Sequence, residues 1–278
     1  MPSILFATDL DRTLLPNGDE VYDGHSIQDL FDHLRKISAV VAYVTGRTKE
    51  MTLDASKEYG VPLPDYLIAE VGTVIYRKDA DSILAKDDNW IKFIKESEPA
   101  WDWDSIVSLI SKKRLPVELQ EDFKQNQFKI SYYLKDVEKK DEILKSLDSS
   151  LASLSVNFNL IWSTDPINGG VGLIDILPVK ATKSSAIEYL RESLDVSLDD
   201  TIYCGDSGND LLPLLSGYKS IVVKNASKHV KDVVGEKISN DLKLASKIYL
   251  AEGKNGGNGN YSAGIIEGLH HFGFIKNL

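Results

Sequence analysis

Ile4-Leu5-Phe6-Ala7-Thr8-Asp9-Leu10-Asp11-Arg12-Thr13 and, most of the chain later, Thr201-Ile202-Tyr203-Cys204-Gly205-Asp206-Ser207-Gly208-Asn209-Asp210 follow one pattern, a short apolar run that ends on carboxylates. Apolar runs without alternation suit strands buried on both faces, which belong to parallel sheets covered by helices. In such sheets ligands bind beyond the carboxyl ends of the strands. Two acidic clusters placed there share one reason to exist, a divalent cation that handles phosphate.

Working outward, Ile27, Leu30, Phe31 and Leu34 recur at helical spacing, and Ala39 to Val44 form a second buried-type strand. Leu67-Ile68-Ala69 and Thr73-Val74-Ile75-Tyr76 continue the series as a bent strand pair around Gly72. The character changes at about residue 84. Asp104 is positioned to cap a helix carrying Ile106, Val107, Leu109 and Ile110; Phe128 to Leu134 reads as a strand and Val137 to Leu151 as a charged helix. Val156, Phe158, Leu160 and Trp162 alternate with polar neighbours, a strand with one wet face, and Leu173 to Leu177 closes the block. The strand and helix alternation then resumes through Ile187, Leu190 and Leu194, Thr201 to Cys204, Leu211 to Leu215 and Ser220 to Val223. A glycine-rich loop, Gly253 to Gly259, precedes a closing helix over Ala263 to Phe272. The expected fold is α/β: a doubly wound parallel-sheet core over residues 1–83 and 179–278, with an inserted α+β block over 84–178.

Composition narrows the function. The 278 residues are 42% hydrophobic, enough for a sizeable core, and carry a formal charge of -10. That balance excludes a broad basic face for nucleic acid or anionic lipid, so an anionic substrate must meet locally concentrated positive charge. Met1-Pro2-Ser3 starts no signal peptide and no run reaches the ~20 apolar residues of a membrane span, so the expected address is cytoplasmic. Cys204, the only cysteine, leaves no intrachain disulfide and reads as a small buried strand residue.

Chemistry concentrates at four places. Asp9 and Asp11 can turn toward one site, one carboxylate as nucleophile and the other as acid and base. Thr45-Gly46-Arg47 follows the second strand, where a hydroxyl and backbone amides cradle phosphate; alternatively Thr45 caps the helix starting near Lys49. Lys183 precedes the helix at Ser184, poised to neutralise Asp9 and a phosphoryl oxygen, with Lys180 as its rival. In Gly205 to Asp210 the glycines allow a tight turn while Asp206 and Asp210 offer hard oxygen ligands suited to magnesium.

These four elements, in this order, resemble those of the haloacid dehalogenase superfamily of phosphatases. The resemblance implies Asp9 as nucleophile, Asp11 as general acid and base, Thr45 as phosphate-binding hydroxyl and Lys183 as the charge-stabilising lysine. It implies Mg2+ on the Asp9 carboxylate, the Asp11 carbonyl and Asp206, with Asp210 on the metal side and Asn209 nearby toward the substrate. The block over 84–178 is then a cap. Within the superfamily the chain is most similar to the sucrose-phosphatase family, on Thr8 to Asp11, Tyr43 to Arg47, Pro64 to Tyr66, Val71 to Thr73, Lys129 to Tyr132, Asp175 to Pro178, Cys204 to Asp210 and Ser262 to Glu267. Arg12, in a slot often filled by Asn or Gly, and Thr182-Lys183-Ser184 depart from that pattern. Lys129 and Ser131 resemble cap positions that face the sugar, although both also fit the outward side of an ordinary strand.

The function so implied is Mg-dependent hydrolysis of a small-molecule phosphorylated sugar, a disaccharide phosphate such as sucrose-6-phosphate, through an aspartyl-phosphate. Two readings compete: a catalytically silent sugar-phosphate-binding module, and a phosphotransferase or mutase. The joint presence of Asp9, Asp11, Lys183 and Asp206 argues against silence, and Asp11 as a base for water favours hydrolysis.

Overall fold

A computed structural model describes residues 4–165, 169–254 and 256–275. Strand β1 (Leu5–Thr8) is fully buried and sits in the middle of an eight-stranded sheet. From it the chain winds outward through helix α1 (Ser26–Lys36), β2 (Val40–Val44), α2 (Lys49–Tyr59), β3 (Tyr66–Ala69) and β4 (Val74–Lys78). Ile27, Leu30, Phe31 and Leu34 of α1 are all buried, as their spacing requires.

Strand β5 (Leu84–Lys86) pairs antiparallel with β4 in this same sheet, and α3 (Asp88–Ser97) buries Trp90 and Ile94 in its core. The Trp90 indole also donates to the Gly72 carbonyl at 3.1 Å. The expected boundary at residue 84 therefore moves: β5 and α3 are bound to the large sheet by hydrogen bonds and apolar burial, and the smaller unit begins near Trp101. Its first helix, α4 (Trp103–Lys113), is capped by Asp102 rather than Asp104, because the Asp102 carboxylate accepts the Ser105 N–H while Asp104 lies inside the first turn.

The smaller unit continues with β6 (Glu118–Leu119), β7 (Ile130–Leu134), α5 (Lys140–Leu151), β8 (Phe158–Asp165) and β9 (Val171–Pro178), forming an antiparallel sheet in the order β6-β7-β9-β8. Period two decides its faces. Ile130, Tyr132, Leu134, Ile174 and Ile176 join Ile106 and Ile110 of α4 and Ile143, Leu147 and Leu151 of α5 in a second core. The alternate set, including Ser131 paired with Asp175 and Tyr133 with Leu173, points the other way, toward the large sheet.

After Pro178 the winding resumes on the other side of β1 with α6 (Lys183–Ser193), β10 (Thr201–Gly205), α7 (Leu211–Leu214), β11 (Lys219–Val222), α8 (Lys228–Asn240), α9 (Leu242–Ala245), β12 (Ile248–Leu250) and α10 (Tyr261–His271). The sheet order is β12-β11-β10-β1-β2-β3-β4-β5, parallel from β12 to β3. The winding reverses between β1 and β10, so Asp9 and Asp206 leave adjacent parallel strands at the switch point, where such sheets bind ligands. Among the described residues no helix is long and apolar enough to cross a membrane. Met1-Pro2-Ser3 and Asn255 of the glycine-rich loop lie outside the described residues.

Candidate active site

Asp9 is only 5% exposed, its backbone N–H tied to the Cys204 carbonyl at 2.9 Å. Lys183, at the start of α6, donates at 2.7 Å to Asp9 Oδ1, at 2.7 Å to Asp210 Oδ1 and at 2.8 Å to Asn209 Oδ1. Its three ammonium donors are thereby spent on one geometry. The rival Lys180 is exposed. Thr182 caps α6 by accepting the Ser185 N–H, which places Lys183 in the first turn facing Asp9.

The turn after β10 is built on Asp210. Its Oδ2 accepts the backbone N–H groups of Asp206 at 3.1 Å and Ser207 at 2.9 Å, and Oδ1 accepts the buried Tyr203 hydroxyl at 2.5 Å as well as Lys183. A side chain at Gly205 would collide with Asp210, its Cβ lying 2.6 Å from that of the aspartate. With these four hydrogen bonds Asp210 anchors Lys183 and the turn, while one of its oxygens stays within reach of the neighbouring acids. Asp206 keeps more capacity: Oδ1 accepts the Thr13 hydroxyl at 3.0 Å, and Oδ2 lies 3.7 Å from Arg12 Nε.

Burial and crowding act on these acids together. Burial, opposed by Lys183 and reinforced by Asp210 and Asp11, pushes Asp9 up to about 8, and burial with Asp9 and Asp210 raises Asp206 as well. Burial alone would lower the Lys183 ammonium, but Asp210 and Asp9 hold it above its ordinary value. One carboxylate oxygen from each of Asp9, Asp206 and Asp210 falls within 4.8 Å of the others, a donor set of hard oxygens without histidine or cysteine. Such a set fits Mg2+, and the net negative charge left after Lys183 is counted is what a divalent cation would offset.

The other expected residues divide. Thr45 is fully buried and does not cap α2, because Thr48 does so by accepting the Met51 N–H. The Thr45 hydroxyl instead accepts the Arg47 N–H at 3.1 Å, and Gly46 lines the adjoining cleft. The Arg47 guanidinium grips Asp11 bidentately, at 2.9 and 2.6 Å, and Asn17 donates to the same carboxylate at 2.5 Å. Arg47 thus meets the carboxylate of Asp11 where a role on phosphate was expected.

The cleft encloses about 460 Å³ between the two sheets. Lys129 reaches it from the small sheet, with its ammonium donating to the Lys124 carbonyl at 2.8 Å. Ser131 does not line it: the hydroxyl is fully buried and donates at 2.5 Å to Asp175, which does. Sequence reading missed Asp175, Gln120, Lys124 and Thr164 on the small-sheet wall and Thr13, Asn17 and Tyr203 as partners of the acids. Asp175 was within reach, since it alternates with buried Ile174 and Ile176 and so must face away from the small core. Side-chain cations alone do not make the cleft positive. Its wall carries Arg12, Arg47, Lys124 and Lys129 against five aspartates, and Lys183 against Asp9 brings the two signs level.

Relatives share this architecture. A HAD-like hydrolase of Nitrosococcus oceani is 36% identical over 97% of this chain and 71% of its own length. The mannosylfructose-phosphate phosphatase of Agrobacterium fabrum is 24% identical over 98% of each chain. Among solved structures, the sucrose-phosphatase of Synechocystis in complex with sucrose and phosphate superposes with a TM-score of 0.79, at 26% identity and 98% coverage of both chains. The chain spans about 60% of the length of the plant sucrose-phosphatases it matches. Residues 2–273 match the sucrose-6F-phosphate phosphohydrolase family, and with its parallel sheet, its acidic switch-point site and its second, antiparallel sheet the chain belongs to that family of haloacid dehalogenase-type phosphatases.

Proposed function

We propose that this chain hydrolyses the phosphomonoester of a disaccharide or similar glycosyl phosphate, sucrose-6-phosphate first, through an aspartyl-phosphate on Asp9 and with Mg2+. The observation that carries the reading is the Asp9 carboxylate, held at 2.7 Å by Lys183 on the floor of a cleft whose opposite wall is polar. An Asp9 oxygen forms the bond to phosphorus while the bond from phosphorus to the sugar oxygen breaks. The departing oxygen takes a proton from Asp11. Asp11 then removes a proton from water, whose oxygen attacks the phosphorus of the aspartyl-phosphate and restores the Asp9 carboxylate. Asp9 and Asp206 would hold the cation, which supplies charge stabilisation to the phosphoryl oxygens. Lys183 adds fixed positive charge, and the Thr45 hydroxyl retains a hydrogen to donate.

Because Asp11 is paired bidentately with Arg47, it must be released before it gives up a proton; a phosphate dianion entering between them supplies the competing anion for Arg47. The test is phosphate release from sucrose-6-phosphate, mannosylfructose phosphate and glucosylglycerol phosphate, with magnesium and with EDTA. Release from one of these that needs magnesium supports the proposal. Tight binding without release would make the chain a silent module, and transfer of phosphate to a second sugar a phosphotransferase.

A further inference from the structure

Arg12 follows Asp11 in the loop that leaves β1, and its backbone is in the left-handed region at φ 59°. A non-glycine residue there costs about 1 kcal/mol and persists only where its surroundings enforce it. They do so from three segments. The Arg12 N–H donates to Asn17 at 2.7 Å, and its carbonyl accepts from the Asn225 side chain at 2.5 Å. The guanidinium donates to Glu20 Oε1 at 2.7 Å and to the Asn225 carbonyl at 3.4 Å. Glu20 Oε2 in turn accepts the Tyr261 hydroxyl at 2.7 Å, while the Tyr261 N–H donates to Asn225 Oδ1 at 2.9 Å. Gly18 leaves room for the cluster: a Cβ there would lie 2.5 Å from Arg12 Nη1 and 2.7 Å from the Tyr261 hydroxyl. The result is a guanidinium fixed in the cleft wall with its Nε 3.7 Å from Asp206 Oδ2.

We propose that Arg12 is a positioning residue that sets the divalent-cation affinity of the site, a fixed positive charge beside Asp206 that weakens cation binding. The proposal rests on the magnesium-dependent reading above. A rigid unit charge about one side chain away from a divalent ion is worth on the order of tenfold in affinity even in water, and more beside the buried Asp206. Glu20 takes up part of that field, so removing the carboxylate should expose more of it. Anchoring matters here because a mobile arginine would swing away from an arriving cation, whereas one held by Glu20 and Asn225 cannot do so freely.

The experiment titrates magnesium chloride into the full chain without substrate, at constant ionic strength, by calorimetry and by the magnesium-dependent rise in melting temperature. Arg12→Gln should bind magnesium at least about tenfold tighter than the wild type, Arg12→Lys within about threefold of it, and Glu20→Gln several-fold weaker. Unchanged or weaker binding by a folded Arg12→Gln would overturn the proposal, as would an effect confined to KM for the sugar phosphate. If Arg12→Gln does not fold, Glu20→Gln decides by itself, with unaltered affinity counting against the proposal. No magnesium binding by the wild type at tens of millimolar would remove the magnesium reading itself and this proposal with it.

Discussion

In the proposed reaction Asp9 combines two properties that seldom coincide in one carboxylate, a buried position and a task that needs it ionised. Lys183 and a cation together would make that possible, which leads to two expectations. Asp9→Asn should stay folded by circular dichroism and lose turnover by at least about 10⁴-fold, because an amide cannot carry the phosphoryl group. Appreciable phosphate release by the folded variant would take the nucleophile's role from Asp9. The second concerns pH in protein treated with EDTA. With its folded value near 8 against an ordinary 3.8, Asp9 keeps its proton in the fold and releases it on unfolding. Stability through this group is therefore greatest at acid pH, falls as pH rises from about 4 to 8 by up to about 1.4 kcal/mol per pH unit, and levels off above. Denaturant midpoints of the wild type and Asp9→Asn at pH 5.5, 7 and 8.5 should diverge accordingly, the variant gaining relative to the wild type as pH rises. Parallel profiles would show that Asp9 ionises freely. That Asp9, Asp206 and Lys183 come together was legible in the sequence because each stands just after an apolar strand or at the start of a helix. Tyr203 was not, since a tyrosine inside a buried strand gives no hint that its hydroxyl reaches the Asp210 carboxylate.

Among the elements, those with an apolar run or a periodic stripe were the readable ones. Helix α1 and strands β1 and β10 bury the residues their patterns assign to the core, while β2 buries only Ala42, Tyr43 and Val44 of its expected run. Strand β5 has three residues, two of them exposed, so neither run nor alternation distinguishes it from a loop, although it pairs with β4 of the large sheet. The two-residue β6 and three-residue β12 were unreadable for the same reason. Helix α8 did carry a stripe, Val230 and Val234 being buried, but Gly235 interrupts it. One contact between elements was invisible without coordinates. Strand β8 of the small sheet rests on the turn after β10, where a Cβ on Gly208 would lie 2.4 Å from the Trp162 carbonyl oxygen. The turn is held by the Asp210 hydrogen bonds, so Gly208→Ala should displace β8 rather than the turn. A loss of roughly tenfold or more in kcat/KM on the sugar phosphate is expected, with p-nitrophenyl phosphate turned over at nearly the wild-type rate. Equal loss on both esters would mean that the turn itself had moved.

At the scale of the whole molecule the two sheets divide the labour, and the division bears on which sugar is accepted. In the proposed reaction the large sheet supplies the acids and Lys183, which would grip a phosphoryl group and a cation. The remainder of the substrate would then meet the wet face of the small sheet, where Lys129 and Asp175 stand near each other, the ammonium 4.0 Å from Asp175 Oδ1. Ser131 holds Oδ1, which leaves the other Asp175 oxygen able to accept from a sugar hydroxyl, and under the proposal Lys129 would donate to one. Lys129→Ala should therefore lower kcat/KM on the preferred glycosyl phosphate by about 1 to 3 kcal/mol, the worth of hydrogen bonding to a charged group, and change p-nitrophenyl phosphate by less than about threefold. Lys129 also ties down the Lys124 carbonyl, so its loss can loosen that turn; Asp175→Asn, which leaves the Lys124 contact in place, is the companion variant and should show the same selectivity for the sugar ester. If both variants lose equally on the two esters, the pair serves the fold or the chemistry, and if neither loses on the sugar phosphate, recognition lies elsewhere on the cap wall.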